Sequence, residues 1–446
     1  MFNKQIFYII LLMLLGGTLN AQSQLMLSLD ECIRIALSEN PTIKVRDMEI
    51  TRMDYGRKAT VGQLLPTVNM NGQYTRNLAL QTMYMDTPEG SMAIKMGTDN
   101  NHSAGVTASI PLVMPQLWKS IKLSETQILQ NLESARANKL SLVNQVEKAY
   151  YALLLAQASK RVIEENHTTA KMNAEIYQKK YDLGAASEYD VLRANVAVTN
   201  LEPSILEAEN SINALLLQLK VLMGMDVDTD IAPSMQLNDF KGEMYARIMS
   251  NTLGADTTLV HNTSLKAMDL QTELLKNTLE VQKMAWYPTL MGNANLMWHS
   301  MSNGSPLSGF RWSRATSVGL SLSIPIYQGG QRYYKQKQAQ IAVDEMKWQR
   351  ENLERSLHMQ VETQNDAIAK SLKQIKSNES GVQQAQKANE IMQQSFKIGA
   401  ASFIQLRDTE DALMTARLAY YQAIYNYLVA ESDLVYVLGN THYVRE

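Results

Sequence analysis

Cysteine is almost missing from this chain of 446 residues, and Cys32 stands alone. A single cysteine excludes an intrachain disulfide and a cysteine zinc site. It lies in Leu29-Asp30-Glu31-Cys32-Ile33-Arg34-Ile35-Ala36-Leu37, an amphipathic pattern in which a packed thiol is expected. Glycine (21) and proline (10) are scarce for the length, and few breakers favour long helices. Charge of one sign is lacking too: the formal net charge is -2, which leaves no basic footprint for nucleic acid. The six histidines (His102, His167, His261, His299, His358, His442) are dispersed and form no HExxH spacing. A P-loop, a nucleophile elbow and a glycine-rich dinucleotide fingerprint are also absent, so no enzyme, cofactor or metal centre is expected. Past the N-terminus no run is apolar and long enough for a transmembrane helix, so any membrane span must be made of strands.

What is present is an ordinary folded composition, 45% hydrophobic and 19% charged, over a length that suits two or three domains or one extended architecture. The first residues have the grammar of a secretory signal peptide: Lys4, the apolar run Ile6 to Leu15, then small residues up to Ala21, after which cleavage is expected. The alternative, a membrane anchor, needs about 20 apolar residues, more than this run provides. No cysteine follows the cleavage region to carry a lipid.

The strongest feature is an internal repeat. Asn40-Pro41-Thr42-Ile43-Lys44 is echoed by Asn262-Thr263-Ser264-Leu265-Lys266, and Pro66-Thr67-Val68 by Pro288-Thr289-Leu290, both at an offset of 222. Ser109-Ile110-Pro111-Leu112 returns as Ser323-Ile324-Pro325-Ile326 at 214. Gly184-Ala185-Ala186-Ser187 returns as Gly399-Ala400-Ala401-Ser402, and Val221-Leu222-Met223-Gly224 as Tyr436-Val437-Leu438-Gly439, both at 215. Five landmarks in one order with so few length changes indicate a tandem duplication, with units over 22–235 and 236–446 after the signal at 1–21.

Each unit has one plan. In the first, a helical segment over about Ser28–Leu64 leads to strands over about 67–76 and 104–112. A long helix over about Gln116–Tyr181 follows, then a turn at 184–186 and a return helix over about Ser187–Met223. In the second, a helix over about Ser264–Trp286 leads to strands over about 289–298 and 316–326. A long helix over about Arg332–Lys397 follows, then a turn at 399–401 and a return helix over about Ser402–Leu438. The strands alternate: Val68, Met70, Gly72 and Tyr74 against Asn69, Asn71, Gln73 and Thr75, and Val318, Leu320, Leu322, Ile324 and Ile326 against Gly319, Ser321 and Ser323. That pattern fits a barrel with lipid outside and water inside, and also a half-buried strand in a soluble sandwich; the signal peptide and the repeat favour the barrel. The helices carry seams spaced alternately three and four: Leu413, Ala416, Tyr420, Ala423, Tyr427, Ala430 and Leu434, and Leu142, Val146, Ala149, Leu153 and Ala156, with Val143, Tyr150 and Leu154 beside the second. A helix with two seams packs on neighbours at both sides, as in a tube. About 100 Å of helix, at 1.5 Å per residue, suits a tunnel or a strut rather than a globular core.

These residues resemble the TolC family of outer-membrane efflux proteins over nearly the whole mature chain. The resemblance is carried by Leu27 to Ile33 and Ala36 to Pro41, by Leu65-Pro66-Thr67, and by Ile324-Pro325-Ile326-Tyr327-Gln328-Gly329-Gly330-Gln331-Arg332. It is carried further by the two turn segments Tyr181–Leu192 and Phe396–Leu406. It implies a mostly helical fold with membrane strands: long coiled-coil helices forming a periplasmic α-barrel, and four strands per protomer in the outer-membrane β-barrel of a homotrimer. Pro66, Pro111, Pro288 and Pro325 would mark where the chain enters and leaves that barrel. A mixed belt would hold the linker near Asp226–Phe240 and the C-terminal residues. By analogy the function is a passive duct that receives small molecules or proteins from an inner-membrane pump through a periplasmic adaptor.

The hairpin tips, Gly184, Ala185, Ser187, Gly399, Ala400 and Ser402, would be adaptor-docking positions, or structural turns alone. Ser187 and Ser402 read as N-caps of the return helices. Asp190, Gln405 and Asp408 fall at positions that constrict the closed tip in related channels. Gln405 replaces an acidic residue there, Phe396 a common tyrosine and Ala401 a basic residue, so the constriction is expected to be less acidic. A ring of Asp408 carboxylates would attract cations; the plainer reading is a solvated charge near a helix N-terminus. Leu78–His102 is expected to be a methionine-rich extracellular loop, longer than its counterpart His299–Ala315, and a copper-handling role for its methionines is the minor reading. The rival class is a periplasmic coiled-coil strut without a pore, which leaves the four repeated strands unexplained.

Overall fold

A computed structural model of the protein describes residues 24–88, 90–242, 244, 258–305, 307, 310–441, 443 and 444. The export signal expected at 1–21 lies outside the described residues.

In chain order the elements are β1 (Leu25–Leu27), α1 (Leu29–Glu39), α2 (Pro41–Gly62), β2 (Thr67–Arg76), β3 (Gln81–Thr87), β4 (Gly90–Met96), β5 (Asn100–Val113) and α3 (Pro115–Asp182). Then come α4 (Glu188–Thr199), α5 (Glu202–Met223), β6 (Ile231–Pro233), α6 (Thr263–Met284), β7 (Thr289–Ser302), β8 (Ser313–Ser323), α7 (Gln331–Lys397) and α8 (Phe403–Leu438). The plan read from the sequence is recovered, with four differences. The first helical segment is two helices, because Pro41 lacks an N–H and turns Asn40 out of helical geometry. The first return helix is also two, broken at Asn200–Leu201 ahead of Pro203 in the first turn of α5. The stretch 78–102 is not a plain loop: it holds the antiparallel hairpin β3–β4. The last strand ends at Ser323, so Ile324, Pro325 and Ile326 lie beyond it, while β5 and β7 are longer than expected.

The chain forms two compact units, and neither coincides with one sequence repeat. One is drawn from residues up to Arg46, Ala135–Ser264 and Leu353 onward; the other from Asp47–Ser134 and Leu265–Asn352. The first is helical. Parts of its seams lie in its core: Val146, Tyr150, Leu153 and Tyr427 are fully buried, with Ile424 beside them, while Ala156, Leu413, Ala416 and Tyr420 are half-buried. Within it two helix ends are built alike. Gly224 ends α5 in the left-handed conformation, and the Asn40 side chain donates to the Leu222 carbonyl at 2.8 Å. Gly439 ends α8 in the same way, and Asn262 donates to the Val437 carbonyl at 2.6 Å. Also in this unit, β1 pairs in parallel with β6, which lies within the Asp226–Phe240 linker. The Tyr150 hydroxyl donates to the Leu27 carbonyl at 3.1 Å, and burial pushes that phenol up to about 12. The Cys32 thiol is buried and likewise pushed up to about 12, as expected of a packed rather than reactive cysteine.

The second unit is built on an antiparallel four-stranded sheet of order β2-β5-β7-β8. Pro66 and Pro288 stand immediately before β2 and β7, where a missing N–H costs no ladder bond. Pro111 lies inside β5, and the register slips between Pro111 and Val113, the bulge a proline imposes on a paired strand. Pro325 follows β8, and its carbonyl accepts from Arg332 Nη1 at 3.0 Å, with that guanidinium 5.0 Å from the Trp286 ring centre.

Candidate functional site: paired hairpin turns and a two-faced sheet

The two hairpin turns have the same construction. Gly184 (φ 74°) and Gly399 (φ 79°) take the left-handed conformation that closes a helix end. Ala185 N donates to the Lys180 carbonyl at 2.7 Å and Ala400 N to the Ser395 carbonyl at 2.8 Å. Ser187 and Ser402 then cap α4 and α8, each in a reciprocal capping box. The carboxylate of Asp190 takes the Ser187 hydroxyl at 2.7 Å and backbone N–H at 3.2 Å. Gln405 Oε1 takes the Ser402 N–H at 2.9 Å and hydroxyl at 3.1 Å. Of the three constriction candidates, two are therefore committed to local caps, and Asp408 is exposed one turn further on.

The structure also brings the two turns together. Tyr177, Ala174, Val191, Ala194, Phe396, Phe403 and Leu406 form one buried cluster. The Tyr177 ring lies 4.9 Å from Phe403 and 5.8 Å from Phe396, centre to centre. Lys180 Nζ sits 4.8 Å above the Phe396 ring. Burial, and secondarily the Asp190 carboxylate, raise the Tyr177 phenol. The sequence marks Phe396 only as a replacement and gives no sign of Tyr177 or Phe403, because their three-way contact joins distant segments and carries no local signal. Leu183 and Ile398, which precede the two glycines at equivalent places, are 83% and 81% exposed.

Further along α8, Glu410 is buried (4% exposed) and accepts from Asn173 Nδ2 at 3.0 Å, while its Oε2 has no partner. Burial raises its carboxyl above the usual range, against the attraction of Arg407.

The sheet of the second unit has two chemically distinct faces. The register places Val68, Met70 and Tyr74 of β2 with Val106 and Ala108 of β5, Leu296 and Trp298 of β7, and Val318, Leu320 and Leu322 of β8. The opposite face carries Asn69, Asn71, Gln73, Thr107, Asn293, Asn295, Ser317 and Ser321, with Met291 and Met297 as large apolar residues on it. On the edge strands the apolar face is bare: Met70 is 80% exposed, Val318 83% and Leu320 72%. Both edges, β2 and β8, are unpaired among the described residues. A bare apolar face, a polar face and two open edges fit a barrel segment in lipid. Among the described residues, no helix is long and apolar enough to cross a membrane and no His, Cys, Asp and Glu group is arranged for a metal.

Comparison with known proteins agrees with this geometry. The chain is 23% identical over 379 residues to the outer membrane protein TolC of Vibrio cholerae, covering 84% of this chain and 82% of that one. It is 22% identical over 333 residues to the alkaline protease secretion protein AprF of Pseudomonas aeruginosa, covering 74% and 68%. Its fold matches the crystal structure of the Campylobacter jejuni CmeC outer membrane channel with a TM-score of 0.74 at 16% identity, over 92% of this chain and 85% of that one. The pattern of the family described as outer membrane efflux protein matches residues 32–225 and again residues 255–440, so the chain belongs to the outer membrane efflux protein family.

Proposed function

We propose that three copies of this chain close into one passive export duct, each giving four strands to an outer-membrane barrel and its long helices to a periplasmic tube. The observation that carries this is the sheet. Four strands do not close a barrel alone, and β2 and β8 leave open edges beside a bare apolar face. Unpaired backbone in hydrocarbon costs several kcal/mol per group, so pairing with neighbouring copies is the physical solution. A coiled-coil strut without a pore has no use for a two-faced sheet. The tandem duplication over 22–235 and 236–446 is supported by the two family matches and by the repeated Asn–Gly junctions.

The duct takes small molecules or proteins from an inner-membrane pump by way of a periplasmic adaptor. Gly184, Ala185, Ser187, Gly399, Ala400 and Ser402 form the tips on which the adaptor docks, and the exposed Leu183 and Ile398 supply apolar contact there. Asp190, Gln405 and Asp408 line the constriction. Asp408 is the carboxylate free to meet ions, while the other two also hold their own turns.

Planar-bilayer conductance of the detergent-purified protein tests the reading. Discrete openings from a trimer, small and cation-selective at rest, are expected, and Asp408→Ala reduces block by divalent cations. A protein that neither trimerises nor inserts would sink the duct; unchanged block would remove Asp408 from the constriction.

A further inference from the structure

The hairpin β3–β4 is not needed by the sheet. The equivalent connection in the second half, between β7 and β8, has no strand among its described residues and no methionine over 303–312. The added segment has an unusual composition and placement. Its register pairs Met85 with Met92, Met83 with Ile94 and Gln81 with Met96. Directly opposed residues of an antiparallel pair share a face, and so do residues two apart along a strand. Met83, Met85, Met92 and Met96 therefore occupy one face, with Ile94 the other large apolar residue on it. The reverse face carries Thr82, Tyr84, Asp86, Ser91, Ala93 and Lys95.

These methionines are not core. They are 47%, 50%, 57% and 52% exposed, in the order Met83, Met85, Met92 and Met96. Nor are they there for strand propensity, which favours β-branched and aromatic residues. What four methionines supply that leucine or isoleucine would not is four neutral thioether sulfurs on flexible stems.

We infer that this face is a thioether site for a soft monovalent metal cation, Cu+ or Ag+. Opposed Cβ atoms lie about 4.5–5.5 Å apart and diagonal ones about 7–8 Å. Met85 and Met92 are opposed, and Met83 is diagonal to both Met92 and Met96. Each sulfur stands two bonds beyond its Cβ on freely turning torsions, so Met85, Met92 and Met83 converge on one ion, with Met96 beside them. Thioethers select soft monovalent copper, whereas calcium and magnesium require oxygen donors. The hairpin joins the strand ends remote from α2 and α3, so the site belongs to the end of the sheet opposite the helices.

The test is Ag+ titration of the full-length protein in detergent, wild type against M83L/M85L/M92L/M96L, by calorimetry and by the shifts of ¹³C-methyl methionine resonances. Leucine keeps the apolar surface and removes only sulfur, so folding and oligomeric state, checked by size-exclusion chromatography, are expected to be unchanged. The wild type is expected to bind at least one tight Ag+ per protomer that the variant loses by 100-fold or more in affinity, with Zn2+ and Ca2+ inert toward both. Equal Ag+ binding by the two proteins overturns the site. So does a variant that retains Ag+ binding but changes oligomeric state, which would make the face a contact between copies of the chain. Neither outcome depends on conductance, so failure here leaves the duct standing.

Discussion

At the scale of single residues, the glycines separate two kinds of constraint. Gly184 has a positive φ but no atom within 4 Å of where a Cβ would stand, so Gly184→Ala carries only the left-handed backbone penalty of about 1–2 kcal/mol. At Gly224 a Cβ would lie 2.7 Å from the Glu39 carbonyl oxygen, and at Gly439 it would collide with that of His261. Gly224→Ala and Gly439→Ala are expected to cost roughly 1–3 kcal/mol more, because backbone must move to admit the methyl. Denaturant unfolding of the three variants checks the order. Glu410 is the second residue-scale case. Its carboxyl is raised in the folded protein, so its favourable contribution to stability is complete at pH below the unfolded value and is lost as pH rises through the folded one. Facing it are Asn173 from α3, Asn389 from α7 and the Arg417–Glu165 pair in the same cavity, with Arg407 and Asp411 on its own helix. Glu410→Gln is expected to flatten the pH dependence of thermal unfolding and to stabilise the protein by about 1 kcal/mol at pH 8, with little effect near pH 4.5. A steeper profile in the variant would refute this.

At the scale of elements, the hairpins join a legible part to an illegible one. The turn chemistry is local: glycine for the left-handed residue, then serine for the cap, and both were read from Gly-Ala-Ala-Ser. Ser187→Ala and Ser402→Ala are each expected to lower stability by about 1 kcal/mol, whereas Asp408→Ala changes it little. That contrast, measured by thermal unfolding, separates the cap from the proposed constriction. The packing of one hairpin on the other is non-local. Phe403→Ala empties the centre of the aromatic cluster and is expected to cost about 3–5 kcal/mol and to raise the open probability of the channel. A stability loss with unchanged gating would confine the cluster to a structural role. The breaks after α1 and α4 were missed for a simpler reason: a hydrophobic period continues across a one- or two-residue interruption, while Pro41 and Pro203 act on backbone geometry that periodicity does not see.

At the scale of the whole molecule, the decisive object is the two-faced sheet. Leu320 stands on the apolar face and Ser321 on the polar one, adjacent in sequence and opposite in consequence. Leu320→Arg is expected to cost about 2–4 kcal/mol if it lies at mid-membrane and to impair insertion. Ser321→Arg is expected to insert normally and to shift ion selectivity. The comparison is made by outer-membrane fractionation and bilayer recording. Equal insertion of both variants would mean that the apolar face does not meet lipid.

The sequence by itself determined the class of element at most places, the alternation of the strands and the chemistry of the turns, because each rests on a period of 2 or 3.5 residues or on a short local motif. It did not reveal that the compact units interleave the two halves, since that depends on which distant segments bury each other. Only the tertiary structure placed Tyr177 against Phe403, left Glu410 with an unmatched oxygen, and turned a methionine-rich loop into a hairpin with its sulfurs on one face. Those are matters of register and burial, and both follow from contacts between residues far apart in the chain.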